Sequence, residues 1–308
     1  MRDGRPAPRP TSGRRPSVRP SANRPADRWC AGRRIPLPSA LLAATLLALA
    51  ACGPRATPVV LVATTTTHDS GLLDELARAY ERTHPDHALK VVAVGTGEAL
   101  ALGRRGDADV LLVHAPDAER AFLRAGHGVG RTPVMENRFV LVGPPADPAG
   151  AARAGSVAAA LRTVARARAP FVSRGDDSGT HRRERALWRA AGVEPSGGWY
   201  REVGQGMAET LRYADQEGAY TLSVSANFLV LRDRLALRVL ADGGPRTENV
   251  YSVVRPADSP HPDAARALAR WLAGPEARRV IADFGRERHG RPLFRPVAGG
   301  AGEEGSGP

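Results

Sequence analysis

From residue 57 onwards, short apolar runs alternate with stretches whose apolar positions recur every three or four residues. The first pattern reads as a buried strand and the second as an amphipathic helix. Val59-Val60-Leu61-Val62-Ala63 opens the series as a strand. The polar run Thr64-Thr65-Thr66-Thr67 follows as a loop, and Leu72, Leu73, Leu76 and Tyr80 mark one face of a helix. The unit repeats with a strand over 90–94, the loop Gly95-Thr96-Gly97 and a helix over 98–105, then with a strand over 109–113 and a helix over 117–125. Further strands are predicted over 139–143, 171–173, 199–203, 220–222, 237–240 and 250–254. A peripheral helix falls within 147–169, one helix carries Ala186, Leu187, Trp188 and Ala191, and others cover 207–217, 262–272 and 275–284. Strand, loop and helix in repeated succession is the pattern of an α/β protein. Such sheets bind ligands at the carboxyl ends of their strands, where loops enter helices. Here the Gly-, Ser- and Thr-rich loops of that kind come from both halves of the chain, which predicts a site in a cleft between two lobes.

The N-terminal residues break this pattern. Residues 1–51 hold ten arginines and two acidic residues, so +8 of the chain's net charge of +12 resides there. The remaining +4 is spread over 34 basic and 30 acidic side chains in residues 52–308, with no long basic block and a single lysine, Lys90. That distribution argues against a nucleic-acid partner despite the overall charge. Residues 1–32, rich in Arg, Pro and Ser, offer too little apolar surface to order themselves. Arg33-Arg34 then precedes an apolar stretch ending in Leu49-Ala50-Ala51-Cys52. This is the charged, apolar and small-residue succession of an export signal, and Pro36 and Pro38 shorten its helix below the roughly 20 residues a membrane span requires. The last four residues resemble the lipobox of bacterial lipoproteins, which makes Cys52 the candidate lipidation site and the mature N-terminus, extracytoplasmic and membrane-anchored. A disulfide between Cys30 and Cys52 is the alternative reading, and Arg33-Arg34 raises twin-arginine export beside the general route.

Helix N-termini bind anions through unpaired N–H groups and the positive end of the dipole. Four consecutive threonines exceed what capping needs, so Thr65 and Thr66 are candidate hydroxyl donors. Thr96, between two glycines, is a second candidate where the backbone allows close approach. The most informative segment is Arg174-Gly175-Asp176-Asp177-Ser178-Gly179-Thr180-His181. Arg174 offers a forked, charge-assisted pair of bonds to an oxyanion, and Ser178, Gly179 and Thr180 present donors at the next helix start. Asp176 and Asp177 are expected to cap that helix or to hold Arg174, and His181 to be an exposed helix residue. Gly206, in Gly204-Gln205-Gly206-Met207, and Thr221 complete the candidate set; Tyr220 reads equally as a ligand group or a core aromatic.

At these loops the chain resembles the tungstate-binding proteins of bacterial ABC import systems, a branch of the type II periplasmic binding proteins. The resemblance rests on Thr64 to Thr67, Asp69-Ser70-Gly71-Leu72-Leu73, Val94-Gly95-Thr96-Gly97, the run from Gly103 to His114, Arg174 to His181, Gly204 to Met207, Gly218 to Leu222 and Ile281 to Gly285. It departs at Val224-Ser225-Ala226-Asn227, where the family has an Asp-Arg-Gly-Thr-like string, and at Asn249-Val250-Tyr251 in place of an Asn-Pro-Tyr-like one. The resemblance implies a two-lobed fold of mixed and parallel sheets flanked by helices, closing on a dianion with Arg174 as the cationic contact. One lobe would comprise residues 58–138 and 252–296, the other 139–251, with a disordered tail over 297–308. It implies a monomeric lipoprotein that delivers tungstate to an ABC permease, with no cofactor, no metal ligands and no catalytic residues. Molybdate and phosphate are the competing ligands. The proton separates phosphate from the other two: hydrogen phosphate needs an acceptor in the site, whereas tungstate and molybdate want donors only. An enzyme on the same fold, using Ser178 and His181, is the reading from another class, and it lacks a third group to orient the pair.

Overall fold

The computed structural model describes residues 56–297. The leader and export signal expected over residues 1–51, Cys52 and the tail after Val297 lie outside the described residues. The chain begins with β1 (Thr57–Thr64), α1 (Thr65–Asp69), α2 (Leu72–Thr83), β2 (His87–Val94), α3 (Thr96–Arg104), β3 (Val110–Val113) and α4 (Pro116–Arg124). It continues through β4 (Gly128–Gly143), α5 (Val157–Ala167), β5 (Phe171–Ser173), α6 (Gly179–Ala190), β6 (Tyr200–Glu202), α7 (Met207–Gln216) and β7 (Thr221–Val224). It ends with α8 (Ser225–Leu231), β8 (Arg238–Ala241), β9 (Glu248–Pro256), α9 (Pro262–Ala273), α10 (Pro275–Asp283), α11 (Arg286–His289) and β10 (Arg295–Pro296).

These strands form the two-lobed, mixed-sheet architecture expected. The first sheet runs β2-β1-β3-β9-β4-β10, with β1 parallel to both β2 and β3, and β9 antiparallel to β3 and β4. β4 changes partner along its length: it pairs with β9 as far as Arg138 and with β7 from Phe139. In the second lobe β4 also pairs with β8, β7 touches β5 through a Phe171–Tyr220 bridge, and β5 runs parallel to β6. β9 returns beside the first half of β4 along its whole length, from Glu248.

The apolar face predicted for α2 explains its seat. Leu72, Leu73, Leu76 and Tyr80 are buried with Val59, Leu61, Val110 and Leu112 of the first sheet. Asp109 fastens the base of this lobe: its fully buried carboxylate accepts from Val60 N at 2.8 Å, Ser259 Oγ at 2.7 Å and His261 N at 2.9 Å. Polar groups drawn into a core are stable only when paired in this way.

Three elements depart from the sequence reading. The threonine run is the first turn of a short helix, with Thr64 as its N-cap. The first half of β4 escapes prediction because Gly128, Gly130 and Pro133 interrupt it; the ladder tolerates Pro133 because its register shifts between Pro133 and Met135. α8 lies where the sequence reading assigned no element and is a helix with Ala226, Asn227, Phe228 and Leu229 buried.

Candidate functional site

The loops singled out in the sequence end at helix starts that face one another across the cleft. In α1, Thr64 Oγ1 lies 3.1 Å from Thr66 Oγ1 and 3.0 Å from Thr67 Oγ1, so both inner hydroxyls are held within the turn. Thr65 is turned outward, and its Oγ1 accepts from Arg174 Nη2 of the other lobe at 3.3 Å. Thr96 starts α3, fully buried, behind the cap residue Gly95. Beside it, Gly97 packs against the Asp177–Arg182 ion pair. Ser178 caps α6 by accepting from His181 N at 3.3 Å. Gly206 caps α7, and the residue before it reaches the site's backbone through Gln205 N to Arg174 O at 3.3 Å. The carboxylate of Glu209 lies over Gly206.

Arg174 leaves the end of β5 and is buried to 1% exposure. Its Nη2 donates to Asp176 Oδ2 at 2.5 Å, while Nε and Nη1 have no partner. Asp176 does one of the two things expected of it: Oδ2 holds the guanidinium, while Oδ1 accepts from Ser178 Oγ at 2.6 Å and Ser178 N at 3.2 Å, and the capping of α6 falls to Ser178. Asp177 is committed to Arg182, at 2.6 Å. The hydroxyls of Thr96, Thr180 and Thr221 are likewise buried and without partners. Each such atom costs about 1–3 kcal/mol when nothing satisfies it. Thr221 belongs to this region through β7, whose preceding carbonyl, Tyr220 O, accepts from Val172 N of β5 at 2.8 Å. The set is rich in donors, and Asp176 and Asp177, the carboxylates that follow Arg174 in the loop, are already engaged. That chemistry suits an oxyanion that carries no proton of its own.

Two other readings resolve. Tyr220 is a core aromatic whose hydroxyl donates to Asp147 at 2.8 Å and accepts from Ala149 N at 2.9 Å. His181 is buried, against the expectation of an exposed residue; its Nδ1 accepts from Asp177 N at 3.0 Å and its Nε2 lies 3.4 Å from Glu202. The burial follows from the loop before α6 folding back over the helix's first turn. Ser178 Oγ meets the backbone of His181, not its ring, so the pair forms no nucleophile and base.

Sequence reasoning missed a buried polar network under the cleft. His114 Nδ1 lies 2.7 Å from Asn249 Oδ1, and Asn249 Nδ2 donates to Asn137 Oδ1 at 2.7 Å and to Tyr251 OH at 2.9 Å. Burial, with Arg174 and Arg183 nearby, holds the His114 imidazole down at about 4. Asn227 of α8 crosses between lobes, its Nδ2 donating to Thr66 O at 3.1 Å. These residues lie far apart in sequence and carry no spacing signal; His114 and Asn249 were visible only inside strings compared with the family.

A family profile described as a PBP superfamily domain matches residues 53–276. The tungstate-binding protein TupA of Peptoclostridium acidaminophilum is 38% identical, over 82% of this chain and 94% of its own length. The chain belongs to the TupA family of periplasmic binding proteins. A Haloferax volcanii protein described as "Putative ABC transporter anion-binding protein" is 47% identical, covering 78% of this chain and 72% of its own. The crystal structure of the tungstate ABC transporter from Geobacter sulfurreducens superposes with a TM-score of 0.68 at 41% identity, over 74% of this chain and 98% of that one. Among the described residues no group of three or more His, Cys, Asp and Glu could hold a metal ion, and no helix is long and apolar enough to cross a membrane.

Proposed function

We propose that this protein captures tungstate outside the cytoplasm and delivers it to an ABC permease, acting by binding and not by catalysis. The observation that carries the reading is the group of buried donors without partners, Arg174 Nε and Nη1 with the hydroxyls of Thr96, Thr180 and Thr221, beside carboxylates already engaged. Thr65 through its hydroxyl, and Gly179 and Gly206 through helix-start N–H groups, complete the proposed site; Thr66 and Ser178 border it, the first with its hydroxyl held by Thr64 and the second with its hydroxyl and N–H both given to Asp176. Hydrogen phosphate is disfavoured to the extent that the two carboxylates next to Arg174 in sequence are already engaged, Asp176 with Arg174 and Ser178, and Asp177 with Arg182. Molybdate has the same charge and shape as tungstate and is the nearest competitor.

In this reading residues 58–138 and 252–296 form one lobe and 139–251 the other, and ligand binding favours the closed state. The mature protein is a monomer that begins at Cys52, lipidated and held at the outer face of the membrane. Calorimetric titration with tungstate, molybdate, sulfate and phosphate tests the proposal. Tungstate should bind, and phosphate and sulfate should give no measurable heat at the same concentrations. A ligand that binds only the folded state stabilises it by about 4 kcal/mol at a thousandfold excess over its Kd. The thermal midpoint should therefore rise with tungstate and stay still with sulfate; an equal rise with both removes the selectivity claim.

A further inference from the structure

His114 stands at the end of β3 in the first lobe, yet its ring reaches the first turn of α6 in the second. A Cβ placed on Gly179 would meet His114 Nε2 at 2.7 Å and Cε1 at 2.8 Å, so the close approach requires glycine there. Nε2 also lies 3.5 Å from Thr66 Oγ1. The ring thus adjoins both helix starts that the oxyanion reading places around the ligand.

The other ring nitrogen is fixed from behind. Asn249 gives its Nδ2 to Asn137 and Tyr251, which leaves its carbonyl oxygen facing His114 Nδ1 at 2.7 Å. Nδ1 is therefore the donor, and the neutral ring carries its lone pair on Nε2. A proton gained by His114 would arrive on the atom beside Gly179.

The groups around the ring explain why it is neutral without ligand. Tyr251 of β9 stacks on it with ring centroids 4.7 Å apart. Arg174, from the loop after β5, and Arg183 of α6 both oppose a further positive charge. Asp176 is engaged with Arg174, and His181 is turned to Asp177 and Glu202. Asp69 of α1 feels Arg174 and His68, and Glu184 lies further along α6, bound to Trp188 and Tyr200. A dianion beside Gly179 and Arg174 would be the negative partner that the ring lacks.

We propose that His114 is a ligand-binding residue that takes up a proton from solvent on Nε2 as the dianion enters, and keeps it as the site's second cation, its Nε2–H hydrogen-bonding to the bound oxyanion. This rests on the oxyanion-binding reading. It follows that a dianion stabilises the imidazolium more than a monoanion of the same tetrahedral shape, because Arg174 is already paired with Asp176 and the ligand's charge acts on His114.

The test is calorimetric titration of the full chain with tungstate in several buffers of different ionisation enthalpy, at about pH 6 to 8. The expected result is uptake approaching one proton per tungstate at about pH 6, with affinity falling by up to about tenfold per pH unit where uptake is complete. His114→Gln should still bind tungstate, with its uptake abolished and its affinity flat with pH. Glu184→Gln should keep the wild-type uptake, which separates the two titrating groups. Tungstate binding by the wild type without proton uptake overturns the proposal and leaves the oxyanion reading standing. Unchanged uptake in His114→Gln, or its loss in Glu184→Gln alone, also overturns it. No tungstate binding at all overturns the oxyanion reading and this proposal together.

Discussion

Asp176 holds Arg174 by one nitrogen only, Nη2 to Oδ2 at 2.5 Å, and leaves Nε and Nη1 of the same buried guanidinium aimed at no protein atom. One carboxylate thus fixes the plane of the fork while two donors stay available. Charge-assisted bonds are worth roughly 1.5–3 kcal/mol each. Arg174→Ala should therefore weaken tungstate binding by about 3 kcal/mol or more. Arg174→Lys, which keeps the charge and loses the fork, should recover only part. Without the guanidinium, Asp176 becomes an unmatched negative charge beside a dianion. The double variant Arg174→Ala, Asp176→Asn should accordingly bind better than Arg174→Ala alone. Titration of the three variants reads this non-additivity directly, and near wild-type affinity in Arg174→Ala would end the assignment of this residue to the site.

Asn227 supplies the hydrogen bond from α8 to the carbonyl of Thr66, across the cleft. On the proposed reading, in which ligand binding favours closure, this bond is a contact of the closed state. Asn227→Ala should cost roughly 0.5–1.5 kcal/mol, and the loss should show mainly as faster ligand release. Stopped-flow measurement separates the two rates. A slower association with unchanged release would place Asn227 outside the closed-state contacts.

Cys52 carries the anchoring proposal. Two acyl chains hold a protein stably at a membrane where one gives only marginal binding. Cys52→Ala should move the protein from the membrane to the soluble fraction on cell fractionation. Retention of the variant in the membrane would require another anchor.

The parts of the fold legible in sequence were those with a strong local period. β1 and α2 announce themselves because one is a continuous buried run and the other places Leu72, Leu73, Leu76 and Tyr80 on one face. The first half of β4 was not legible, because its stability comes from pairing with β9, more than a hundred residues away. The site divides in the same way. Arg174, Ser178 and Thr180 declare themselves by residue type at a helix start. His114 and Asn249 are ordinary strand-end residues in sequence, 135 positions apart, and acquire a role only when the sheet brings β3 and β9 together.

Glu184 offers a test of the second lobe that needs no ligand. It is buried to 1% exposure on α6, and its carboxyl accepts from Trp188 Nε1 at 3.2 Å and Tyr200 OH at 2.8 Å. Burial pushes it up to about 7 from an ordinary value of 4.5, against the lowering effect of those hydrogen bonds. The fold therefore favours the protonated form. Its contribution to stability is fully present below about pH 4.5 and is lost as pH rises through about 7. A difference of that size corresponds to about 3 kcal/mol. His114 acts in the opposite sense: its contribution is present above pH 6.5 and lost as pH falls through about 4. Together they place the greatest stability of the ligand-free protein between about pH 5 and 6. Glu184→Gln keeps the shape of the neutral acid and removes the titration. It should flatten the decline above pH 6 and stabilise the protein at pH 8 by up to about 3 kcal/mol, with the value near pH 5 changed by less than about 1 kcal/mol. Chemical denaturation of both chains at several pH values checks this. Parallel losses in the wild type and in Glu184→Gln between pH 5 and 8 would show that the carboxyl ionises in the folded protein without penalty.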